Sequence, residues 1–256
     1  MSAPGEMLRA EGLVKRFGGL AATDGASLAV RAGELHALIG PNGAGKTTLI
    51  HQLSGALAPT AGTIHFLGRD VTRLPIHERA RLGLVRSYQI TSVFGRLSVL
   101  DNLALAVLAI DGGGLGVWRP ARADHGRYEA AATVAGRVGL GARKDCIAGT
   151  LSHGEQRQLE IGLALALRPR LLLLDEPLAG MGPDESERMV ALLQGLRGEV
   201  AMLLVEHDMD AVFRLADRIS VLVSGRVIAT GTPGEIHAHP EVRRAYLGDE
   251  FEQGAA

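Results

Sequence analysis

A glycine-rich stretch is the part of this chain whose residue types and spacing are best suited to chemistry. It reads Gly40-Pro41-Asn42-Gly43-Ala44-Gly45-Lys46-Thr47-Thr48. Glycines let backbone N–H groups turn inward towards phosphate oxygens, and a helix that follows directs its positive end at the same anion. In this pattern Lys46 reaches the β- and γ-phosphates of a nucleotide, and the Thr47 hydroxyl coordinates Mg²⁺. The alternative is a simple glycine-rich turn, but the position between an apolar run and a helical pattern favours a phosphate-binding loop.

Two adjacent carboxylates form the second candidate for chemistry. Asp175 and Glu176 follow the run Leu171–Leu174, which suits a strand that is covered on both faces. In α/β proteins ligands bind beyond the carboxyl ends of the strands, which would place both carboxylates near the phosphate loop. We predict that Asp175 holds Mg²⁺ and that Glu176 is the general base for an attacking water. Without the phosphate loop, a strand that ends in Asp-Glu-Pro would be interpreted as a turn.

A third motif opens a helical stretch that runs to about Leu167. Its sequence is Leu151-Ser152-His153-Gly154-Glu155-Gln156. Ser152 is suited to be the N-cap, and Glu155, three residues later, to be its capping-box partner. A capped helix is therefore a sufficient structural interpretation of this motif, and a functional one needs further support.

Composition limits the classes of protein that are possible. The chain has 256 residues, of which 46% are hydrophobic and 21% charged, so we expect a packed core and no extensive disorder. The formal net charge of −1 argues against a general nucleic-acid binder. Cys146 is the only cysteine, which excludes an internal disulfide and suits a reducing compartment. We recognise no secretion signal, and the apolar runs are far shorter than the ~20 residues that cross a bilayer.

The order of elements predicts an α/β core that contains a helical insertion. Apolar runs alternate with helical patterns up to residue 89 and again after residue 168, while alanine, leucine and arginine dominate in between. Such alternation is typical of a parallel sheet with helices on its faces. We therefore predict an α/β core of residues 1–89 and 169–250, an inserted helical subdomain of residues 90–168, and a tail of residues 251–256.

In sequence order, these motifs resemble the ATP-binding subunits of ABC transporters. The resemblance rests on the phosphate loop, Gln89, the 151–155 motif, the 171–176 motif and His207, and it extends from about Leu8 to Leu247. It implies an α/β fold with a P-loop NTPase core, an N-terminal antiparallel β subdomain and an inserted α-helical subdomain. It also implies that the chain binds ATP and Mg²⁺ and that it is an ATP hydrolase coupled to transmembrane transport.

The resemblance assigns roles to three isolated residues. Gln89 would bridge Mg²⁺ or the attacking water to the surface that contacts the membrane subunit, although a glutamine at a strand end is often only polar. His207 would contact the γ-phosphate and support Glu176, although a histidine after a strand is usually structural. Phe17 would stack on adenine, with packing in the core as the alternative.

The resemblance gives the 151–155 motif a role that involves two subunits. Ser152, Gly154 and Glu155 would bind the γ-phosphate of ATP that the opposite subunit holds, through the Ser152 side chain and the N–H groups of the first helical turn. The chain departs from the common family pattern by having His153 where glycine is usual and Glu155 where glutamine is common. Gly182 replaces an aspartate that helps to couple the two active sites, so that coupling is in doubt.

Further sequence details resemble the importers of branched-chain and other hydrophobic amino acids. They are Arg86-Ser87-Tyr88-Gln89, Trp118-Arg119-Pro120 and the C-terminal segment that begins at Gly231-Thr232-Pro233. The partners implied are permease subunits, a second and often different ATPase chain, and a periplasmic or lipid-anchored binding protein, with no nucleic acid. The implied location is peripheral, on the cytoplasmic face of the inner membrane.

Several alternative functions remain open at this stage. The solute could be urea, an amide or an aromatic acid, and the ATPases of lipopolysaccharide export share a similar C-terminal segment. A soluble ABC ATPase that acts on DNA or ribosomes is disfavoured by the single cassette and the short insertion. A cassette that binds ATP without hydrolysing it is disfavoured by Glu176 and His207.

Overall fold

The computed structural model describes residues 5–87, 93–110 and 125–245. Ten strands and nine α-helices occur in these segments, together with two short 3₁₀ turns between α4 and α5. The strands are β1 (Glu6–Phe17), β2 (Leu20–Arg31), β3 (Leu35–Ile39), β4 (Ala61–Phe66), β5 (Arg69–Asp70), β6 (Leu84–Arg86), β7 (Leu171–Asp175), β8 (Ala201–Val205), β9 (Arg218–Val223) and β10 (Arg226–Gly231). The helices are α1 (Lys46–Ser54), α2 (Ile76–Arg81), α3 (Val99–Ile110), α4 (His125–Arg137), α5 (His153–Ala166), α6 (Pro183–Leu196), α7 (Met209–Leu215), α8 (Pro233–Ala238) and α9 (Pro240–Ala245).

A six-stranded sheet forms the centre of the fold, in the order β10-β9-β3-β8-β7-β6. All neighbours in it are parallel except β9 and β10, which form an antiparallel pair. Strands β3, β7 and β8 are buried at every position. Leu172 and Leu174 of β7 point into one apolar cluster, while Leu171 and Leu173 point into the cluster on the opposite face. The run of four leucines is therefore explained by a strand with two covered faces, as predicted.

A second sheet is formed mainly by the N-terminal strands. It is antiparallel and has the order β2-β1-β4-β5. Its apolar side chains, among them Leu8, Leu13 and Ile64, share a buried cluster with Leu49 and Leu53 of α1. This packing fixes β2 beside the helix that follows the phosphate loop, so both sheets contribute to the surroundings of that loop.

Helices α3, α4 and α5 lie between β6 and β7 in the chain and pack on one another. Leu103 of α3, Val134 of α4 and Leu159 of α5 belong to one buried cluster. This is the helical block expected from the sequence, and its division from the core at residues 89/90 and 168/169 remains a prediction. The sequence also predicts a strand from Leu84 to Tyr88, and the structure shows it as β6, which ends at Arg86. Tyr88, Trp118-Arg119-Pro120 and the tail of residues 251–256 lie outside the described residues.

The C-terminal segment contains elements that the apolar pattern did not predict. Strand β10 turns back on β9 through Ser224 and Gly225, and α8 and α9 follow it. Gly225 accepts a backbone hydrogen bond from Asp24 and donates one to the Ala44 carbonyl, both at 2.8–2.9 Å. The turn therefore connects β2 to the phosphate loop and supports the loop through these two backbone hydrogen bonds. In the segments that the structure describes, no helix is long and apolar enough to cross a membrane.

Candidate nucleotide site

The phosphate loop connects the carboxyl end of β3 to the amino end of α1. Gly45 is the N-cap residue of α1 and has a φ of 104°, which side chains rarely tolerate. A Cβ atom at this position would lie 2.1 Å from the carbonyl oxygen of Ala22. Since glycine has no side chain to cap the helix, the N–H groups of the first turn face outward without a side-chain acceptor. The loop is thus shaped as a cradle for an anion.

Lys46 is the buried cation of this cradle. Its Nζ donates hydrogen bonds to the carbonyl oxygens of Gly40 at 2.6 Å and Pro41 at 3.0 Å, which pins the amine across the loop. Burial lowers the pKa of Lys46, and the charges of Glu176 and Asp175 oppose this effect. These two carboxylates therefore lie close enough to interact electrostatically with the amine, although they are about 130 residues away in the chain.

A pocket of about 260 Å³ unites the loop with the predicted general base. Its described lining is Leu20, Ala21, Ala22, Asn42, Gly43, Ala44, Gly45, Lys46, Thr47, Thr48 and Glu176. Neither Phe17 nor His207 is among these described lining residues. The Phe17 ring lies at the end of β1 and is 52% exposed, with the Lys15 ammonium 5.6 Å from its centroid. Phe17 pairs with the pocket residue Leu20 across the β1–β2 hairpin. Its exposed ring is compatible with stacking and excludes the alternative that Phe17 is a core residue.

Asp175, the predicted Mg²⁺ ligand, forms a buried ion pair with Arg86. A guanidinium nitrogen of Arg86 lies 2.9 Å from Oδ2 of Asp175, and both side chains are at least nine-tenths buried. The pair joins the ends of neighbouring strands β6 and β7, and the pattern of the sequence did not reveal it. Mg²⁺ prefers hard oxygen ligands, so the Thr47 hydroxyl and the Asp175 carboxylate fit such an ion. In the described segments no group of three or more His, Cys, Asp or Glu could hold a metal ion.

Glu176 is held in a strained backbone conformation at the end of β7. Its φ of 48° lies in the left-handed region, and its N–H donates to the Val205 carbonyl of β8 at 2.9 Å. The buried Glu206 stabilises the neighbouring loop by accepting hydrogen bonds from the N–H groups of Leu178 at 2.8 Å and His207 at 3.0 Å. Glu206 thereby ties the predicted catalytic loop to the predicted histidine, a role that sequence analysis missed.

Glu206 should make the stability of the protein depend on pH. Burial raises its pKa above the ordinary value of 4.5, against the lowering effect of the hydrogen bonds from Leu178 and His207. The folded protein therefore binds this proton more tightly than the unfolded chain, and the contribution to stability is complete below pH 4.5 and is lost as pH rises through the raised pKa. The measure of this contribution is the difference between two unfolding free energies, that of the wild type minus that of Glu206→Gln. We expect this difference to fall by on the order of 1 kcal/mol as pH rises over this range.

Urea unfolding at a series of pH values measures this difference. Glu187→Gln is the matched control, because the ion pair with Arg214 lowers the pKa of Glu187 and the slope should have the opposite sign. A difference for Glu206→Gln that is flat or rises with pH would contradict the prediction.

The 151–155 motif forms a second site, at the start of α5. The predicted capping box is confirmed: the Glu155 N–H donates to Ser152 Oγ at 3.3 Å, and the Ser152 N–H donates to Glu155 Oε2 at 2.9 Å. The side chain of Ser152 also donates to Oε1 of Glu185 on α6, at 2.9 Å. Ser152 and Glu155 line an open pocket of about 720 Å³ that shares no described residue with the phosphate-loop pocket.

Two of the three departures from the family pattern, His153 and Gly182, have visible structural effects. The ring of His153 is 3.2 Å from the carbonyl oxygen of Ala179, so this side chain connects the start of α5 to the loop that follows Glu176. Gly182 is the N-cap residue of α6 and provides no side-chain cap, with Pro183 directly after it. An aspartate here would have supplied such a cap.

The structure therefore brings together only part of the predicted site. Lys46, Thr47 and Glu176 surround one pocket, and Asp175 lies within its electrostatic reach. Ser152, Gly154 and Glu155 are in a separate place, and the side chain of His207 is 61% exposed. Gln89 lies outside the described residues, so its predicted role is not tested.

Comparison with known proteins identifies the family. The family model described as "ABC transporter" matches residues 23–179, and one described as "Branched-chain amino acid ATP-binding cassette transporter" matches residues 226–252. The chain therefore belongs to the ABC transporter family, in which it is an ATP-binding subunit. This membership confirms the predicted fold class and the predicted class of activity, ATP hydrolysis coupled to transport.

Individual relatives are similar over almost their whole length. The chain is 41% identical to the high-affinity branched-chain amino acid transport ATP-binding proteins LivG of Salmonella typhimurium and BraF of Pseudomonas aeruginosa, with 97% of this chain and 100% of each relative covered. It is 38% identical to the lipopolysaccharide export system ATP-binding protein LptB of Acidithiobacillus ferridurans, with 96% and 99% covered. Among solved structures, the ADP conformation of the ABC transporter cassette MJ1267 superposes with a TM-score of 0.83 at 31% identity, with 95% of this chain and 99% of that chain covered.

Proposed function

We propose that this chain hydrolyses ATP to power an importer of branched-chain amino acids. The observation that carries the proposal is the separation of the phosphate-loop pocket from the Ser152 pocket within one subunit. Each pocket would provide only part of a binding site for a nucleoside triphosphate, and we infer that two subunits meet head to tail to complete it. The solute is inferred from the LivG and BraF relatives and from the C-terminal family match.

The residues in and around the phosphate-loop pocket would have two roles in hydrolysis, the binding of ATP and the transfer of a proton. The N–H groups of the loop and Lys46 bind the phosphates, and the exposed ring of Phe17 stacks on adenine. Thr47, Gln89 and, directly or through water, Asp175 would hold Mg²⁺, which when bound neutralises charge on the phosphates. Glu176 accepts the proton of the attacking water, and His207 steadies the γ-phosphate side of the site.

Closure of two subunits would complete each site. Ser152, Gly154 and Glu155 of one subunit would face the γ-phosphate bound by the loop of the other, because the amino end of α5 favours an anion. We infer that the second subunit is a different, related ATPase chain. His153 would transmit the state of this helix to the loop after Glu176 through its contact with Ala179.

A groove on the helical side is suited to a permease partner. It has a volume of about 260 Å³ and is bordered by Arg86 and Ser87 of the core and by α3 and α5. Phe94 is 60% exposed and Leu105 is 39% exposed in this groove, and such apolar side chains favour a protein partner. Docking there would place the chain at the cytoplasmic face of the inner membrane as a peripheral subunit, with a periplasmic or lipid-anchored binding protein delivering the solute.

A lipopolysaccharide exporter is the second candidate function, because the similarity to LptB is nearly as high and extends over almost the whole chain. The ATP chemistry would be the same in both cases. The two functions differ in the partner chains and in the need for a solute-binding protein.

Copurification from native membranes in mild detergent tests the proposal. We expect two multi-span permease subunits, a second ATPase and a binding protein whose solute can be screened by calorimetry against branched-chain amino acids. Recovery with permease subunits but without a solute-binding protein would favour the second candidate. Recovery from the soluble fraction alone, or with ribosomes or DNA, would contradict both.

A further inference from the structure

The carboxylate of Glu185 lies between the amino ends of two helices. Its Oε1 accepts hydrogen bonds from the Ser152 hydroxyl at 2.9 Å and from the Gly154 N–H at 3.2 Å, both at the start of α5. It also interacts with the backbone N–H of Gly182, the N-cap residue of its own helix α6. One carboxylate thus satisfies donors of two helices that are about 30 residues apart in the chain.

The fit of Glu185 against α5 is close. A Cβ atom at residue 154 would lie 2.7 Å from Cδ of Glu185, so only glycine leaves room for the carboxylate. The hydrogen bond from the Ser152 hydroxyl, followed by that from the Gly154 N–H, lowers the pKa of Glu185, which keeps it ionised. The amino end of the 14-residue helix α5 therefore already carries an anion from its own subunit.

The same donors are the ones assigned above to the γ-phosphate of the ATP that the other subunit binds. Two anions cannot share one set of donors at such distances without strong repulsion. Resting on the proposed function, we propose that Glu185 is a positioning residue whose carboxylate occupies the γ-phosphate position at the start of α5 and must leave before the two subunits close around ATP.

The carboxylate of Glu185 has a second position available to it. When it leaves Ser152 and Gly154, the carboxylate keeps the Gly182 N–H and the field of Arg188, which lies one helical turn further along α6. Arg188 lines the same open pocket as Ser152 and Glu185, so the carboxylate can turn towards it without unfolding any element. The amino end of α5 would thus be bound either by Glu185 of the same subunit or by the γ-phosphate of the ATP that the other subunit holds.

Removing the charge of Glu185 should make closure easier. In the detergent-purified transporter we expect Glu185→Gln to lower the ATP concentration for half-maximal ATPase activity by roughly two- to fivefold, with kcat within about twofold of wild type. Binding of a fluorescent ATP analogue to the isolated subunit should be unchanged, because Glu185 does not line the phosphate-loop pocket. Hydrogen exchange of the peptide at residues 152–158 should become faster in the isolated subunit.

Glu187→Gln is the matched control, because Glu187 lies on the same helix but pairs with Arg214 at 2.6 Å. It should alter neither the ATP dependence nor the exchange of that peptide. An active wild-type complex in which Glu185→Gln leaves the half-maximal ATP concentration unchanged or raises it would overturn this inference alone. A wild-type complex without ATPase activity would overturn the proposed function, and this inference with it.

Discussion

Glu176→Gln should lower kcat for ATP hydrolysis by roughly 10²- to 10⁴-fold, which is the usual contribution of a positioned general base. Glutamine has nearly the same shape as glutamate but cannot accept the proton of the attacking water. The N–H of residue 176 would still donate to Val205, and the left-handed backbone would be kept. Lys46 would remain in its cradle, held by the carbonyl oxygens of Gly40 and Pro41. We therefore expect ATP to bind and to accumulate in closed pairs of subunits.

Phosphate release and ATP affinity, measured separately, test this prediction. The affinity for ATP should stay within about threefold of wild type, while turnover almost disappears. Glu187→Gln is the control for loss of one carboxylate, since Glu187 is exposed and pairs with Arg214. Turnover of Glu176→Gln within tenfold of the wild-type value would remove Glu176 as the base.

Those parts of the fold and site that depend on local sequence were predictable. The four leucines of β7 predict a strand with two buried faces whatever follows it, and the 152–155 motif predicts a capping box from the spacing of a serine and a glutamate. The phosphate loop is equally local, because its glycines and Lys46 act within a few residues. Each of these features needs no knowledge of which other element lies beside it.

Features that depend on contacts between distant elements were not predictable. Arg86 meets Asp175 because β6 and β7 are neighbours in the sheet, and Glu206 meets Leu178 because β8 is next to β7. Glu185 meets Ser152 across 33 residues. No periodicity marks these partners, since their roles arise only once the sheet order and the helix packing exist.

Strand β10 shows a different limit of sequence analysis. It is an edge strand of the six-stranded sheet and is only partly buried, so its residues lack the apolar alternation that identifies a strand. Its partner β9 is buried at four positions, and the apolar run from Ile219 to Val223 is sufficient to predict it as a strand. The hairpin nevertheless matters for the site, because its turn at Gly225 supports the phosphate loop through Ala44.

Lys46→Ala should weaken ATP binding by roughly 10²-fold. Hydrogen bonds to charged groups contribute about 1.5–3 kcal/mol each, which corresponds to about one to two powers of ten in affinity for each contact with phosphate. Lys46 is buried where the amino end of α1 meets the loop, and no other lysine of the chain (Lys15 or Lys144) lines that pocket within the described residues. The substitution also removes the bonds to Gly40 and Pro41, so we expect a modest loss of stability as well.

Titration with a fluorescent ATP analogue at a temperature well below unfolding separates these two effects. Lys144→Ala is the control for loss of one lysine, because Lys144 is exposed and does not line the phosphate-loop pocket. If Lys46→Ala binds ATP within threefold of wild type while remaining folded, the loop does not use Lys46 as its phosphate-binding cation. The loss should persist when Glu176 is also changed to Gln, because Lys46 acts on binding and Glu176 on the chemical step. Nearly additive effects on binding in the double variant would support this division of roles between the two sides of the pocket.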